Sequence, residues 1–586
     1  MTFFRTLNPS VSPDATSVGE LLSQVAARPS TGPAWVFADD RAPRSAAEMI
    51  DEAHRIARWF VDIGLEPGDR IALLTDALEP FAQVCLASAL GGFTILPLPT
   101  AASGPILGSL IARATVKALL VSPSAWATVL PVFVQRGDKL PSVVIIDDAV
   151  GILPPQLYAL DEGRDFDGPP VAAAPEAGAA PLALFFNNGS RGRAEAAAVG
   201  FAELRAALAV IAQDAELAAT KDRASAHGVV RCPLSAVGFV FDLWRPLVLG
   251  TPILDLSAYR DDPPALYHAL ASARPRGLSL AVRDIDAAFF AAPAPATGLG
   301  QARHSALAAL TTLGRIIDEH LPPSLSRGVS ALASPVTAHG VRRAWFFNDM
   351  PDGAALARLR HQGVTALRTY QISESAVPCA YVADVERAIG GYRLPVGVRV
   401  RILAPRPDGV GEIAVATAAM APRALDSSRS VNAIEFTDDG FLATGDLGRV
   451  DAAGRLHVAG TKTLSLFSAE RIVASEELAR LFFDGPWTHL VPIPEAHLWP
   501  EDAADSKRWV AILHGARSDA ARRFIVARNA VVAPHHRFDG LLCSPAPFPL
   551  GTHGRLRREA LLGALRSAFA SLAASPADRA RAIEWL

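Results

Sequence analysis

Hydrophobic positions recur in two rhythms along this chain. In SAAEMIDEAHRIARWFVDIGL, residues Met49, Ala53, Ile56, Ala57, Phe60 and Ile63 fall near one face of a helix. EPGDRIALL then reads as a turn and a strand, and PFAQVCLASALGGFTILPLP as a buried helix followed by a strand. SLIARATVKALLVSPSA and VVIIDD repeat the helix-to-strand order. Such alternation predicts parallel strands covered by helices.

A stretch rich in Pro, Gly and Ala, from about Pro154 to Pro181, reads as a long surface connection. Beyond it, LFFNNGSRGRAEAAAVGF predicts a strand, a glycine-bearing turn and an alanine-rich helix. HGVVRCPLSAVGFVFDLWRPLVLGTPILDL predicts strand, helix and strand, and GVTALRTYQISES a strand ending in polar residues. LPVGVRVRIL, GVGEIAVAT and GRLHVAG alternate and are bounded by turns, as in a small antiparallel subdomain. Past Gly460 the order becomes helix (ERIVASEELARLFF), strand (WVAILHG), helix, short strand (GLLCSP) and final helix. The expected fold class is α/β: a large N-terminal domain, residues 1–459, of α/β sheets plus a β subdomain, and a small α+β C-terminal domain, residues 460–586.

Composition narrows the function classes. The chain has 586 residues, half of them hydrophobic, with a net charge of -3. No strong field of either sign points to nucleic acid or an anionic membrane. No uninterrupted apolar run is long enough to span a bilayer, and MTFFRTLNPS lacks the form of a secretory leader. The four cysteines are scattered with no metal-ligand spacing, so a reducing, cytoplasmic setting is expected. Lysine occurs only five times, and Arg supplies nearly all positive charge.

Three stretches carry candidate chemistry. Gly189 and Gly192 would let backbone N–H groups converge, with Ser190 adding a hydroxyl and Arg191 and Arg193 positive charge. Such nests bind phosphate oxygens, although a Gly turn with solvated arginines looks the same in sequence. Asp446, in FLATGDLGRVD, would be a carboxylate fixed on a turn and able to accept from two ribose hydroxyls, or a plain turn residue. Glu374 follows a strand in TYQISES, where α/β sheets bind ligands, and could hold Mg2+ or remain a solvated loop residue.

In their order and spacing, GLEPGDRIALL, ALGGFTILPLP, RCPLSAVGFVFDLWRPLVLGTPI, TYQISES, GEIAV and ATGDLGRVDAAGRLHVAG resemble the adenylate-forming superfamily. This superfamily includes acyl- and aryl-CoA ligases, acyl-AMP ligases, peptide-synthetase adenylation domains and luciferases. The resemblance covers nearly the whole chain. It implies a mobile C-terminal lid and an acid–thiol ligase that uses ATP and Mg2+ to turn a fatty, acyl or aryl acid into acyl-AMP. CoA or a phosphopantetheine carrier protein would then accept the acyl group. Carried over by position, Asp446 would hold the ribose, Glu374 the Mg2+ and Tyr370 the adenine, while Gly189, Ser190 and Gly192 would cradle the phosphates, with Arg191 and Ser373 also among the nucleotide-binding residues. Arg555 would fill the slot of the C-terminal catalytic Lys, and the acyl pocket would lie around PLSAVGFVFDLW and the strand before Tyr370. Ala236, Val237 and Gly238 suggest an uncharged chain, with no acidic residue awaiting an amino group.

The departures are as specific as the matches. Where the family's phosphate loop carries Lys, this chain has Glu195, which turns attraction for phosphate into repulsion. Arg555 presents a planar fork instead of a point charge. The family's hinge Gly-Arg-x-x-Asp is here Gly460 to Leu464, and its following Gly-Gly is Ala469-Glu470. The alternative expectation is therefore a catalytically degenerate member acting as an acyl- or partner-binding module.

Overall fold

The computed structural model describes residues 15–586 outside the segments 148–156, 169–179, 188–194, 290–339, 348–355, 383–390, 422–436, 483–489, 499–505, 549–557 and 573–582 and scattered shorter ones. Two seven-stranded sheets dominate. The first runs, in spatial order, Leu157–Ala159, Val143–Ile146, Ala118–Val121, Arg70–Leu74, Thr94–Pro97, Ala183–Asn187 and Glu195–Val199. All its pairings are parallel except the last. Its central strands are continuous apolar runs such as ALLV and VVII, buried on both faces as parallel strands require.

The second sheet runs Trp35–Phe37, Ile253–Asp255, His227–Val229, Gly277–Ser279, Arg343–Phe346, Thr365–Tyr370 and Ala380–Val382. It too is parallel up to an antiparallel last strand. Between the sheets lies helix Ala46–Asp62, opened by a reciprocal cap: the Ser45 hydroxyl accepts from the Glu48 N–H, and the Glu48 carboxylate accepts from the Ser45 N–H. Its expected face is buried. Helix Leu78–Gly91 is buried nearly all round and stops at Gly92, whose φ of 75° suits glycine. One continuous core joins the inner faces of both sheets through these helices, and separate cores cover the outer faces.

Four antiparallel strands, Arg399–Leu403, Gly411–Ala416, Leu442–Val450 and Leu456–Thr461, form the smaller β unit. Toward the C-terminus, Leu490–Pro494, Trp509–His514, Gly540–Ser544 and Glu584–Trp585 make a mixed sheet with cores of its own. No helix among the described residues is long and apolar enough to cross a membrane.

Two expectations need correction. The alanine-rich stretch after the glycine turn is not a helix at its start: Glu195–Val199 pairs antiparallel with Ala183–Asn187, and the helix begins only at Phe201. Backbone pairing to an existing sheet outweighs the weak helical preference of a few alanines. ERIVASEELARLFF likewise divides into a strand, Ile472–Ala474, and a helix, Ser475–Leu481, because its β-branched start pairs with Ser465–Phe467.

Candidate active site

Strand Thr365–Tyr370 ends at the carboxyl edge of the second sheet, where open α/β sheets receive ligands. The Cys379 N–H donates to the Tyr370 carbonyl (2.9 Å), and the Thr369 hydroxyl donates to the Phe346 carbonyl (3.1 Å), so the strand end is tied on both sides. The chain then turns through Ser373 and Glu374, both half-buried. The Glu374 carbonyl accepts from the Ala421 N–H (2.6 Å), which fastens the turn to the segment after strand Gly411–Ala416.

Asp446 reaches the same place from another direction. It lies within strand Leu442–Val450 rather than on a free turn, and its neighbour Gly445 has φ 77°. The left-handed backbone there directs the Gly445 N–H to Glu412 Oε1 (3.0 Å), while Lys462 Nζ donates to Glu412 Oε2 (2.9 Å). Thr444 Oγ1 donates to the Ile413 carbonyl (2.8 Å) and accepts from the Asp446 N–H (3.1 Å). The Tyr370 hydroxyl donates to Asp446 Oδ2 (2.8 Å) and lies 3.3 Å from Thr444 Oγ1. Burial, and then the Asp446 carboxylate, push the Tyr370 hydroxyl well above its ordinary pKa, so it stays a donor. Burial pushes the Cys379 thiol up to about 12, and the Glu374 and Asp446 carboxylates add to that rise.

The profile of the family described as AMP-binding enzyme matches residues 22–423, more than two thirds of the chain. The chain belongs to the AMP-binding enzyme family. Among curated proteins, this AMP-binding enzyme family member is similar to the sulfoacetate–CoA ligase of Cupriavidus necator, with 36% identity over 125 residues. That match spans 20% of this chain and only 24% of the ligase. In fold it is similar to o-succinylbenzoate CoA synthetase from Bacillus subtilis, solved with its acyl-adenylate intermediate: TM-score 0.67, 14% identity, 92% of this chain and 97% of that one. It is also similar to an anthranilate CoA ligase solved with anthranoyl-AMP, at TM-score 0.70 and 14% identity, covering 94% of this chain and 98% of that one.

In this family member the structure joins Tyr370 to Asp446 by a hydrogen bond, and Ser373 and Glu374 lie in the turn that follows Tyr370. Gly189, Ser190, Arg191, Gly192 and Arg555 lie outside the described residues. The described strands on either side of the stretch 188–194 pair in register as far as Asn187 and Glu195.

Sequence reasoning missed a second polar group, deep in the second sheet. Asp242 sits in a π-helical turn, Val240–Trp244, between helical segments Ala236–Phe239 and Arg245–Leu249. Its Oδ1 lies 3.1 Å from His227 Nε2 and accepts from Ser279 Oγ (2.5 Å). The Arg245 side chain, also buried, donates to the Phe241 and Leu217 carbonyls (both 3.1 Å), and burial holds its pKa down to about 10. Burial also lowers the pKa of His227, helped by Arg245. The signal was an Asp inside the apolar run FVFDLW; a buried carboxylate there requires partners.

Proposed function

We propose that this AMP-binding enzyme activates a small-molecule carboxylic acid, acyl or aryl, as its acyl-adenylate and passes the acyl group to the thiol of CoA or of a phosphopantetheine carrier protein. The Tyr370–Asp446 hydrogen bond carries the reading. It leaves a carboxylate fixed from below at the carboxyl end of a parallel strand, where vicinal ribose hydroxyls can donate to it.

In the first half-reaction a carboxylate oxygen attacks the α-phosphorus of ATP. The new P–O bond forms as the bond to the bridging oxygen of pyrophosphate breaks, and pyrophosphate leaves. In the second, the thiolate attacks the acyl carbon, the C–O bond to AMP breaks, and the thiol proton passes to solvent. Asp446 accepts from the ribose, and Tyr370 flanks the adenine while steadying that carboxylate. Gly189, Ser190, Arg191, Gly192 and Ser373 surround the phosphates, and Arg555 takes the cationic role beside the reacting carboxylate.

Mg2+ takes one or two carboxylates plus phosphate oxygens. No group of three or more His, Cys, Asp and Glu side chains able to hold a metal occurs among the described residues. Glu374 alone suits such a shared ion, which would offset phosphate charge. In this reading residues 460–586 act as a lid over a body of residues 1–459, in the cytoplasm.

Calorimetric titration with Mg·ATP, with Asp446→Ala as control, tests the nucleotide site. Heat from the native protein and none from the variant is expected, followed by acid-dependent pyrophosphate exchange. The competing reading, a binding module without catalysis, draws its support from Glu195; absence of ATP binding would favour it.

A further inference from the structure

The strand that carries Asp446 does not run evenly beside its neighbour. Gly411 and Glu412 face Gly448 and Leu447, whereas Ala414 and Val415 face Ala443 and Leu442. A single residue, Ile413, therefore stands opposite Thr444, Gly445 and Asp446. Such a bulge pushes its extra residues out of the ladder and re-aims the side chains they carry. Side chains fix its shape. Thr444 Oγ1 donates to the Ile413 carbonyl and accepts from the Asp446 N–H. The Gly445 N–H, at the crest, donates to Glu412 Oε1 (3.0 Å). Glu412 is held in turn: its side chain is 20% exposed, and Lys462 Nζ donates to its other oxygen (2.9 Å). On the far side of the bulged strand, Asp446 registers with Thr461, the residue before Lys462. Gly445 has φ 77° and open space where a Cβ would stand, so what glycine supplies here is backbone conformation and not room.

We propose that Glu412 is a positioning residue for the nucleotide: by capturing the Gly445 N–H it sets the bulge, and through the bulge it aims the Asp446 carboxylate at the ribose. It acts through Gly445 and Asp446, not on the substrate. The inference rests on the functional reading above, in which Asp446 accepts from the ribose hydroxyls. Asp446 then has two anchors. Tyr370 fixes one oxygen of its carboxylate, and Glu412 fixes the backbone that bears it. Without Glu412 the Gly445 N–H loses its acceptor, and a glycine free to take either sign of φ lets its successor turn away.

The experiment is calorimetric titration of the full chain with Mg·ATP and with Mg·2′,3′-dideoxy-ATP, which lacks both ribose donors. The native protein should prefer ATP by about tenfold or more, the worth of hydrogen bonds to a charged acceptor. Glu412→Ala should cut that preference to about threefold or less by weakening ATP alone, with dideoxy-ATP bound as before. Glu412→Gln keeps an oxygen that can accept from the Gly445 N–H and should recover most of the preference. Gly445→Ala, strained by its positive φ and by nothing else, should lower the preference as Glu412→Ala does, and it carries the test if Glu412→Ala does not fold. A native preference in Glu412→Ala and Gly445→Ala, or an equal loss of affinity for both nucleotides, would overturn the positioning role and leave the nucleotide site standing. A native protein that binds both nucleotides equally would remove this inference and the ribose role of Asp446. A native protein that binds neither would remove the functional reading as well.

Discussion

Asp446 and Asp242 are both aspartates that accept a hydrogen bond from a hydroxyl, Tyr370 in one case and Ser279 in the other. Their surroundings make them different instruments. Asp446 is half-buried at the mouth of a sheet, set on a backbone that Glu412 and Thr444 hold in place. Asp242 is shut inside, among His227, Ser279 and Arg245. A carboxylate at the edge of water keeps capacity for a ligand; one in the interior is committed to its neighbours.

The sharpest way to break this comparison is Asp242→Ala. It removes the buried carboxylate oxygen that His227 Nε2 and Ser279 Oγ share, two hydrogen bonds to a charged group, for a loss of about 3–5 kcal/mol. Urea unfolding reads it directly. A loss near that of a surface substitution would show that His227 and Ser279 do not depend on Asp242. Asp446→Ala should do the reverse, costing little stability while weakening Mg·ATP binding by about 1.5–3 kcal/mol, the worth of hydrogen bonds to a charged group. Equal damage to stability and binding would erase the distinction.

A gentler probe is pH. Burial, then Arg245, lowers the pKa of His227 below its ordinary 6.5. The unfolded chain therefore binds this proton first as pH falls. His227 contributes full stability above about 6.5 and loses it progressively below. His227→Gln should flatten the acid limb of a stability-against-pH curve, and an identical limb in the variant would refute the assignment. The smallest effect belongs to Lys462→Gln. Its ammonium is more than half exposed, so its bond to Glu412 is worth about 0–1 kcal/mol in unfolding experiments.

How much of this was legible in the sequence depends on distance along the chain. The parallel strands were readable because burial on both faces makes each a continuous apolar run. Glu195–Val199 was misread because its identity as a strand comes from Ala183–Asn187 across the loop, not from its own composition. The meeting of Tyr370 and Asp446 was expected only through resemblance, since their contact depends on the register of separate sheets. The knot of His227, Asp242 and Ser279 went unseen for the same reason: two strands and a helix must be aligned before the three face each other.

The edge strand Trp35–Phe37 has a consequence for synthesis. Its register partner Ile253 emerges about two hundred residues later. At a ribosomal rate of about 5–20 residues per second, the early strand waits on the order of ten to forty seconds before its partner exists. During that interval Trp35, 1% exposed in the finished fold, is an uncovered indole on a nascent chain. The second sheet therefore closes late, and helper proteins that shield apolar segments would find their target near the start of the chain.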